Sequence, residues 1–405
     1  METTVNHEER AHSLLSSSGS SRWMNCTPSA RKEEHIPNQT SSYALEGTLA
    51  HELAEIELKK YFKEIDTIEY KSRLAIIEDN EYYNDDMPEF VDVYVSYCIE
   101  RYIHYCSICA SVEVSIEEKI DLTKYIPDGF GSNDFVIIAD KHIEVIDLKY
   151  GRGVSVSAVD NSQLKLYGLG SVYKHRLSYN MEDILLTIVQ PRTYSISSFL
   201  INVDMLEHWA DTEVITKAQM AHNGEGELNP GEWCKFCRFK PKCRAIYDEN
   251  MKLMQNDFSD PDELTEAEIK EIFDKADQIV SWVNSVNALI LDKLLKKQEF
   301  PGFKLVKGRS IRKFKDPKEV ASTLIEKGFK EDDFMSDPKL LGITAIEKLV
   351  GKKEFAEKFD NLVFKTEPKP SIALNSDKRD SYFDSLEDDF GTEVKAVNTF
   401  NNDFL

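Results

Sequence analysis

The chain has 405 residues, 41% of them apolar, enough for one large domain or two smaller ones. No run of 18 apolar residues occurs, which speaks against a membrane span. Seven cysteines, an odd number in an acidic chain, speak against a secreted disulfide framework. The formal net charge of −22 excludes a surface that coats duplex nucleic acid everywhere. It does not exclude a local cationic groove: acid concentrates in 76–92, 245–274 and beyond 376, while basic clusters stand at 235–244 and 304–315.

Residues 1–20 look frayed, and their start lacks the basic and apolar regions of a secretory signal, so a cytoplasmic location is expected. Ser20 or Ser21 can cap a short helix running through Arg22, Trp23, Met24 and Cys26. Leu45, Leu49, Leu53 and Ile56 recur at helical spacing and predict a helix over 44–63. An acidic loop, EDNEYYNDDMP, separates it from a second helix over 88–110. The period then changes to two. Val112, Val114 and Ile116 alternate with polar residues, and DFVIIAD and IEVIDLKY read as two more strands around a turn at Asp140-Lys141. A helix over 163–172, the strands ILLTIVQP and ISSFLI, and a helix over 204–222 complete an α/β arrangement around a small mixed sheet.

Beyond it lie a cysteine-rich knot at 234–243, a long helix over 263–297, a hairpin (FKLVKGRS, then IRKFKD) and small helices to about 360. The Pro-, Ser- and Asp-rich remainder reads as disordered. The expected division is 1–250, a domain closed by the cysteine knot; 251–365, a helical and hairpin extension; and 366–405, an acidic tail.

The chemistry starts at Ile146-Asp147-Leu148-Lys149. Alternation along a strand puts Asp147 and Lys149 on one face. A carboxylate that can hold a divalent metal beside an ammonium that offsets developing charge suits phosphodiester hydrolysis. Asp134, after Gly131-Ser132-Asn133, is expected in a turn at the start of the neighbouring strand, from which it can converge with Asp147. Hard oxygen ligands of this kind fit Mg2+ or Mn2+. His51 and Glu55 stand at i, i+4 on one helix face, and His51 can add a nitrogen ligand. Gly47, at the start of that helix, would permit a close backbone approach. Gln163 and Tyr167 form a second i, i+4 pair.

In this order the motifs resemble the RecB-like branch of the PD-(D/E)XK nucleases. The residues carrying the likeness are Gly47, His51 and Glu55; Gly131 and Asp134; Asp147 and Lys149; Gln163 and Tyr167. The resemblance implies a restriction-endonuclease-like mixed sheet flanked by helices. It implies metal at His51, Asp134 and Asp147, a catalytic Lys149, and DNA positioned by Gln163 and Tyr167. The implied activity is Mg2+- or Mn2+-dependent DNA hydrolysis, as an exonuclease or end-processing enzyme. The alternative is a non-catalytic DNA-binding or assembly protein on the same scaffold. Asp at 147 stands where this branch often has Glu.

Cys234, Cys237 and Cys243 form a compact trio that needs a fourth ligand, and the residues alone admit zinc or an iron–sulfur cluster. Cys26, Cys98 and the Cys106/Cys109 pair are candidates. The resemblance implies a 4Fe-4S cluster held by Cys26 with the trio, a clasp between distant segments. Buried apolar packing is the expected role of Cys98, Cys106 and Cys109. Lys235, Arg238, Lys240, Lys242 and Arg244, interleaved with Trp233, Phe236 and Phe239, suit contact with single-stranded nucleic acid. Lys304 to Lys315 is a second candidate patch. The C-terminal third is similar to phage- and prophage-encoded proteins with the same front end. The acidic tail resembles those of single-strand-binding proteins, implying a recombination-protein partner.

Overall fold

The computed structural model describes residues 14–383, apart from 39–40, 153–154, 255–264, 309, 311, 337–338 and 368. Two short helices, α1 (Ser20–Asn25) and α2 (Ser29–Glu33), precede three longer ones: α3 (Ser42–Tyr61), α4 (Thr67–Glu78) and α5 (Met87–Ile108). Ser41 caps α3 by accepting from the Ala44 amide. Sequence periodicity did not announce α4. Asp66 caps it with bonds from the Ile68 and Glu69 amides, but only Ile77 is buried, so its apolar stripe is faint.

Five strands follow: β1 (Val112–Asp121), β2 (Phe130–Ala139), β3 (His142–Leu148), β4 (Asp183–Gln190) and β5 (Ser195–Asn202). They lie side by side in sequence order, making a mixed sheet flanked by helices. All neighbours are antiparallel except β3 and β4, which are parallel. A parallel pair needs a crossover, and α6 (Ser162–His175) supplies it. Asp140, at φ 47°, takes the tight turn from β2 to β3.

Both faces of the sheet are covered. On one, Val136, Ile138, Ile143 and Val145 pack with Leu164 and Leu169 of α6. On the other, Phe135, Ile137, Ile146 and Leu148 pack with Leu53 of α3 and Val91 and Tyr94 of α5. Hence β3 is buried from Ile143 through Leu148 rather than alternating between core and solvent. The expected 204–222 helix is α7 (Val203–Trp209) and α8 (Ile215–Asn223), joined by a π-helical turn over Ala210–Val214. α9 (Arg244–Met254) and α10 (Glu266–Leu295) follow.

The described chain divides into two compact units, 14–282 and 283–383. The second has its own core, with Val320, Leu324, Phe334, Ile346 and Phe359 fully buried. Its strands correct the expected hairpin. Phe303–Lys307 pairs with Pro370–Leu374, and Arg312–Phe314 with Val363–Lys365, so the two arms never pair with each other. The Gly308 amide donates to the Lys369 carbonyl, extending that distant ladder instead of closing a turn. Pro370–Leu374 thereby takes ordered structure inside a stretch expected to have none; 384–405 lie outside the described residues. No helix is long and apolar enough to cross a membrane among the described residues.

Candidate functional site

The site begins with a break in the sheet. β1 and β2 are in register from Ile116↔Phe135 to Glu118↔Asn133, yet the pair between them, Glu117 and Asp134, is missing from the ladder. Glu117 has φ 51°, the left-handed region that few residues other than glycine adopt. The consequence is a swap of faces. Ile116 packs in the α3/α5 core and Ile120 in the α6 core, although even spacing should keep them on one side. Beyond the break, Glu118 and Asn133 turn to α6. Asn133 donates to the Ser171 hydroxyl at 2.7 Å, Ser171 donates to Glu118 at 3.1 Å, and His175 Nε2 lies 2.8 Å from Glu118.

Glu117 and Asp134 are instead brought to His51 of α3. One ligand atom from each lies within 4.8 Å of the other two. The Ser132 hydroxyl donates to Glu117 at 3.0 Å. His51 Nδ1 is 3.3 Å from Asp134 Oδ1, and the Leu148 amide donates to Asp134 Oδ2 at 2.7 Å. That last bond ties Asp134 to the strand bearing Asp147. Asp134 therefore sits well inside β2, not in a turn at its start; 130–133 continue the ladder with 118–121.

Asp147 is buried at the end of β3, with Lys149 Nζ 2.8 Å from its Oδ2 and bonded to its Oδ1 at 3.1 Å. Gln163 Nε2 donates to Asp147 Oδ1 at 3.5 Å and to the Tyr167 hydroxyl at 3.0 Å. The six expected residues His51, Asp134, Asp147, Lys149, Gln163 and Tyr167 thus form one connected group. The trio of ligand atoms within 4.8 Å, however, is completed by Glu117 and not by Asp147, among the described residues. Glu117 was missed from sequence; the one hint was the lapse of alternation between Ile116 and Ile120.

Two motif positions do something else. Glu55 pairs with Lys59 at 2.6 Å and Arg73 at 3.0 Å, so its charge is already met. Gly47 has open space where a side chain would go. The close approach is at Gly131, whose added Cβ would lie 3.3 Å from Tyr167 Cε1 and from the Ser17 hydroxyl.

Electrostatics follow from this crowding. Burial opposes charge on His51, but the charge and hydrogen bond of Asp134 outweigh it and raise the pKa to about 9. Burial likewise opposes charge on Asp134, yet His51, Lys149 and the Leu148 amide hold it below its ordinary value. Burial pushes Asp147 up against the pull of Lys149. Lys149 is raised: burial is outweighed by Asp147 and Asp134. Burial and the facing Asp134 charge lift Glu117 to about 7. The facing carboxylates of Glu117 and Asp134 beside the His51 imidazole are a donor set that fits a small divalent cation.

The second cluster holds the cysteines. Cys26 ends α1 and lies near enough to Cys234 and Cys243 to interact with both electrostatically, while Cys237 interacts with Cys234. Cys26, Cys234 and Cys243 are buried. Around them the two ends of the unit are stitched together. Glu33 of α2 pairs with Arg22 at 2.7 Å and accepts from the Arg238 amide at 2.5 Å. The Thr27 hydroxyl donates to the Glu225 carbonyl at 2.6 Å, and the Asn229 amide to Cys26 Sγ at 3.5 Å.

The basic run is divided: Arg238 and Lys240 turn into this packing, while Lys235, Lys242 and Arg244 stay exposed. Arg238 reaches Glu33 and the Ile36 carbonyl, Lys240 is buried against Ser281, and Arg244 pairs with Asp248. Phe236, 74% exposed, does face outward. Of the other cysteines, Cys98 is fully buried as expected, but Cys106 is exposed, because the last turn of α5 runs past the core.

The profile of the family described as "Protein of unknown function (DUF2800)" matches residues 12–380. The solved structure described as "Crystal structure of SSO0001" is 14% identical, over 56% of this chain and 96% of its own, with a TM-score of 0.25, too low to carry an argument.

Proposed function

The chain belongs to the DUF2800 family, whose function is unknown, and we propose that it is a divalent-metal-dependent DNA nuclease of the RecB-like PD-(D/E)XK type. The observation that carries the reading is the convergence of His51, Glu117 and Asp134 beside a buried Asp147–Lys149 pair. Mg2+ or Mn2+ would be held by His51, Glu117 and Asp134, with Asp147 next to them. When bound, the cation supplies Lewis acidity toward a phosphodiester.

The chain's own groups do the rest. Lys149, with its pKa raised, stays protonated at neutral pH. It therefore acts as a charged donor to the phosphate oxygens rather than as a base. Asp147 fixes the ammonium from 2.8 Å. Gln163, bonded to both Asp147 and Tyr167, sets the orientation of the carboxylate and presents the α6 edge to the strand being cut. The Leu148 amide keeps Asp134 aimed at His51. Exonuclease or end-processing work in phage recombination or replication is the setting proposed, with the acidic tail as a docking segment for a partner protein.

The four cysteines are proposed to hold a 4Fe-4S cluster. Zinc at the same four thiolates is the alternative; brown colour with absorbance near 400 nm would identify the cluster.

The test is digestion of end-labelled single- and double-stranded DNA with Mg2+ or Mn2+, with EDTA as control. Asp147→Ala and Lys149→Ala lose cleavage with the fold intact. Wild-type-like cleavage by purified Lys149→Ala rejects the assignment. DNA binding without cutting by the wild-type chain would favour the assembly-protein reading.

A further inference from the structure

The turn between β4 and β5 carries a buried arginine that no motif accounts for. Arg192 sits in the 3-10 turn Pro191–Thr193, with 11% of its side chain exposed. Its Nη1 is 2.9 Å from Glu46 of α3, which also accepts from Asn84 at 3.0 Å. The guanidinium lies 4.7 Å from the ring centroid of Tyr150, the residue after Lys149. In the same turn, Gln190 accepts from the Val156 amide at 2.8 Å, pinning the loop that leaves β3. The Lys149 amide itself donates to the Val189 carbonyl at 2.9 Å.

Arg192 therefore touches the two elements that bring the site together from opposite ends of the fold. Glu46 lies five residues, under a turn and a half, before His51 on α3. Tyr150 directly continues the strand of Asp147 and Lys149. Two polar atoms at this junction, Arg192 Nε and the Tyr150 hydroxyl, are buried without a hydrogen-bond partner. An apolar pair would fill the same space without leaving those atoms unpaired, so packing alone does not account for them. The fixed planar fork of arginine, bonding on its edge and stacking on its face, is what such a junction needs, and lysine can supply only the first.

We propose that Arg192 is a positioning residue that locks the His51 helix to the Asp147–Lys149 strand through Glu46 and Tyr150, setting the geometry of the cation site. This rests on the metal-centre reading above. Groups bonded directly to metal ligands typically carry roughly 10–100-fold of metal affinity; Arg192 acts one residue further out, through Glu46 and Tyr150. Calorimetric titration of the full chain with Mn2+ reads that quantity without reference to DNA cleavage. The expected results are Mn2+ affinity lowered by up to about tenfold in Arg192→Ala, and a smaller loss in Arg192→Lys. Glu46→Gln should add nothing further on the Arg192→Ala background. Circular dichroism and the thermal midpoint of the metal-free proteins report whether each variant folds. If Arg192→Ala does not fold, Arg192→Lys and Glu46→Gln decide. Wild-type Mn2+ affinity in folded Arg192 variants, with loss in His51→Ala, overturns the positioning role alone. Absence of Mn2+ binding by the wild-type chain overturns the metal centre and this proposal with it.

Discussion

Residue identity sets the charge state of the candidate centre, and through it a dependence on pH. Glu117 and His51 are both raised above their ordinary values, to about 7 and about 9. A group raised in the folded state favours folding where it is protonated. Its contribution is complete below the unfolded pKa and is lost as pH rises through the folded one. The metal-free protein should therefore lose thermal stability as pH rises from 4.5 to about 7, where Glu117 ionises, and again from 6.5 to about 9, where His51 loses its proton. Glu117→Gln should abolish the first stage while weakening Mn2+ binding, because the carboxylate that repels Asp134 is the one a cation needs. Thermal midpoints in EDTA from about pH 4 to 10 check this; an unchanged first stage in Glu117→Gln would count against the placement of that side chain. Asp147, Lys149, Asp134 and His51 were legible in the sequence because their types and order suffice to suggest the chemistry. Glu117 was not, because one glutamate among several in EVSIEEKID carries no mark of a backbone at φ 51°.

At the scale of elements, long periodic segments and the tight β2–β3 turn read correctly, and the C-terminal strand pairing did not. β3 and α6 stand out by run length and period, whereas the arms at 303–307 and 312–314 each found a partner some 50 to 70 residues away. Local pattern says that a segment is a strand, but only the ladder says with which. The stitching of α1 and α2 to the cysteine knot is of the same long-range kind, and Glu33 is its centre. The carboxylate is 3% exposed and meets Arg22, the Arg238 amide and the Arg238 side chain. Arg22 and Arg238 are 24% and 35% exposed, so water partly meets their charges once Glu33 is gone. Glu33→Ala should lower stability by about 1–3 kcal/mol in urea unfolding, the cost of lost charged hydrogen bonds. It should also release the Cys26 segment, seen as faster alkylation of Cys26. Slow alkylation unchanged from wild type would show that the cysteines, not the ion pairs, hold the ends together.

Across the whole molecule, the net charge of −22 is a poor guide to the site, because its acid is spread away from the groups that matter. Separate cores have a testable consequence. Phe334, fully buried in the second unit, should cost about 3–5 kcal/mol when replaced by alanine. Mn2+ affinity at His51 should remain at its wild-type value in that variant. A parallel loss of Mn2+ binding would mean that the cation site depends on the second core.

The sequence by itself determined the alternation of helices and strands, the mixed sheet, and the company of His51, Asp134, Asp147 and Lys149. The first two depend on periodicity, which a linear chain displays; the third came from motif order and the family resemblance it carries. Tertiary structure alone decided that Glu117 joins His51, that Glu55 is spent on Arg73, that Arg238 and Lys240 turn inward, and that Arg192 bridges α3 to β3. Each of these is a question of which side chain meets which across 18 to more than 200 residues. The local backbone does not record the answer, because it is set by where the packed sheet and helices bring those side chains together.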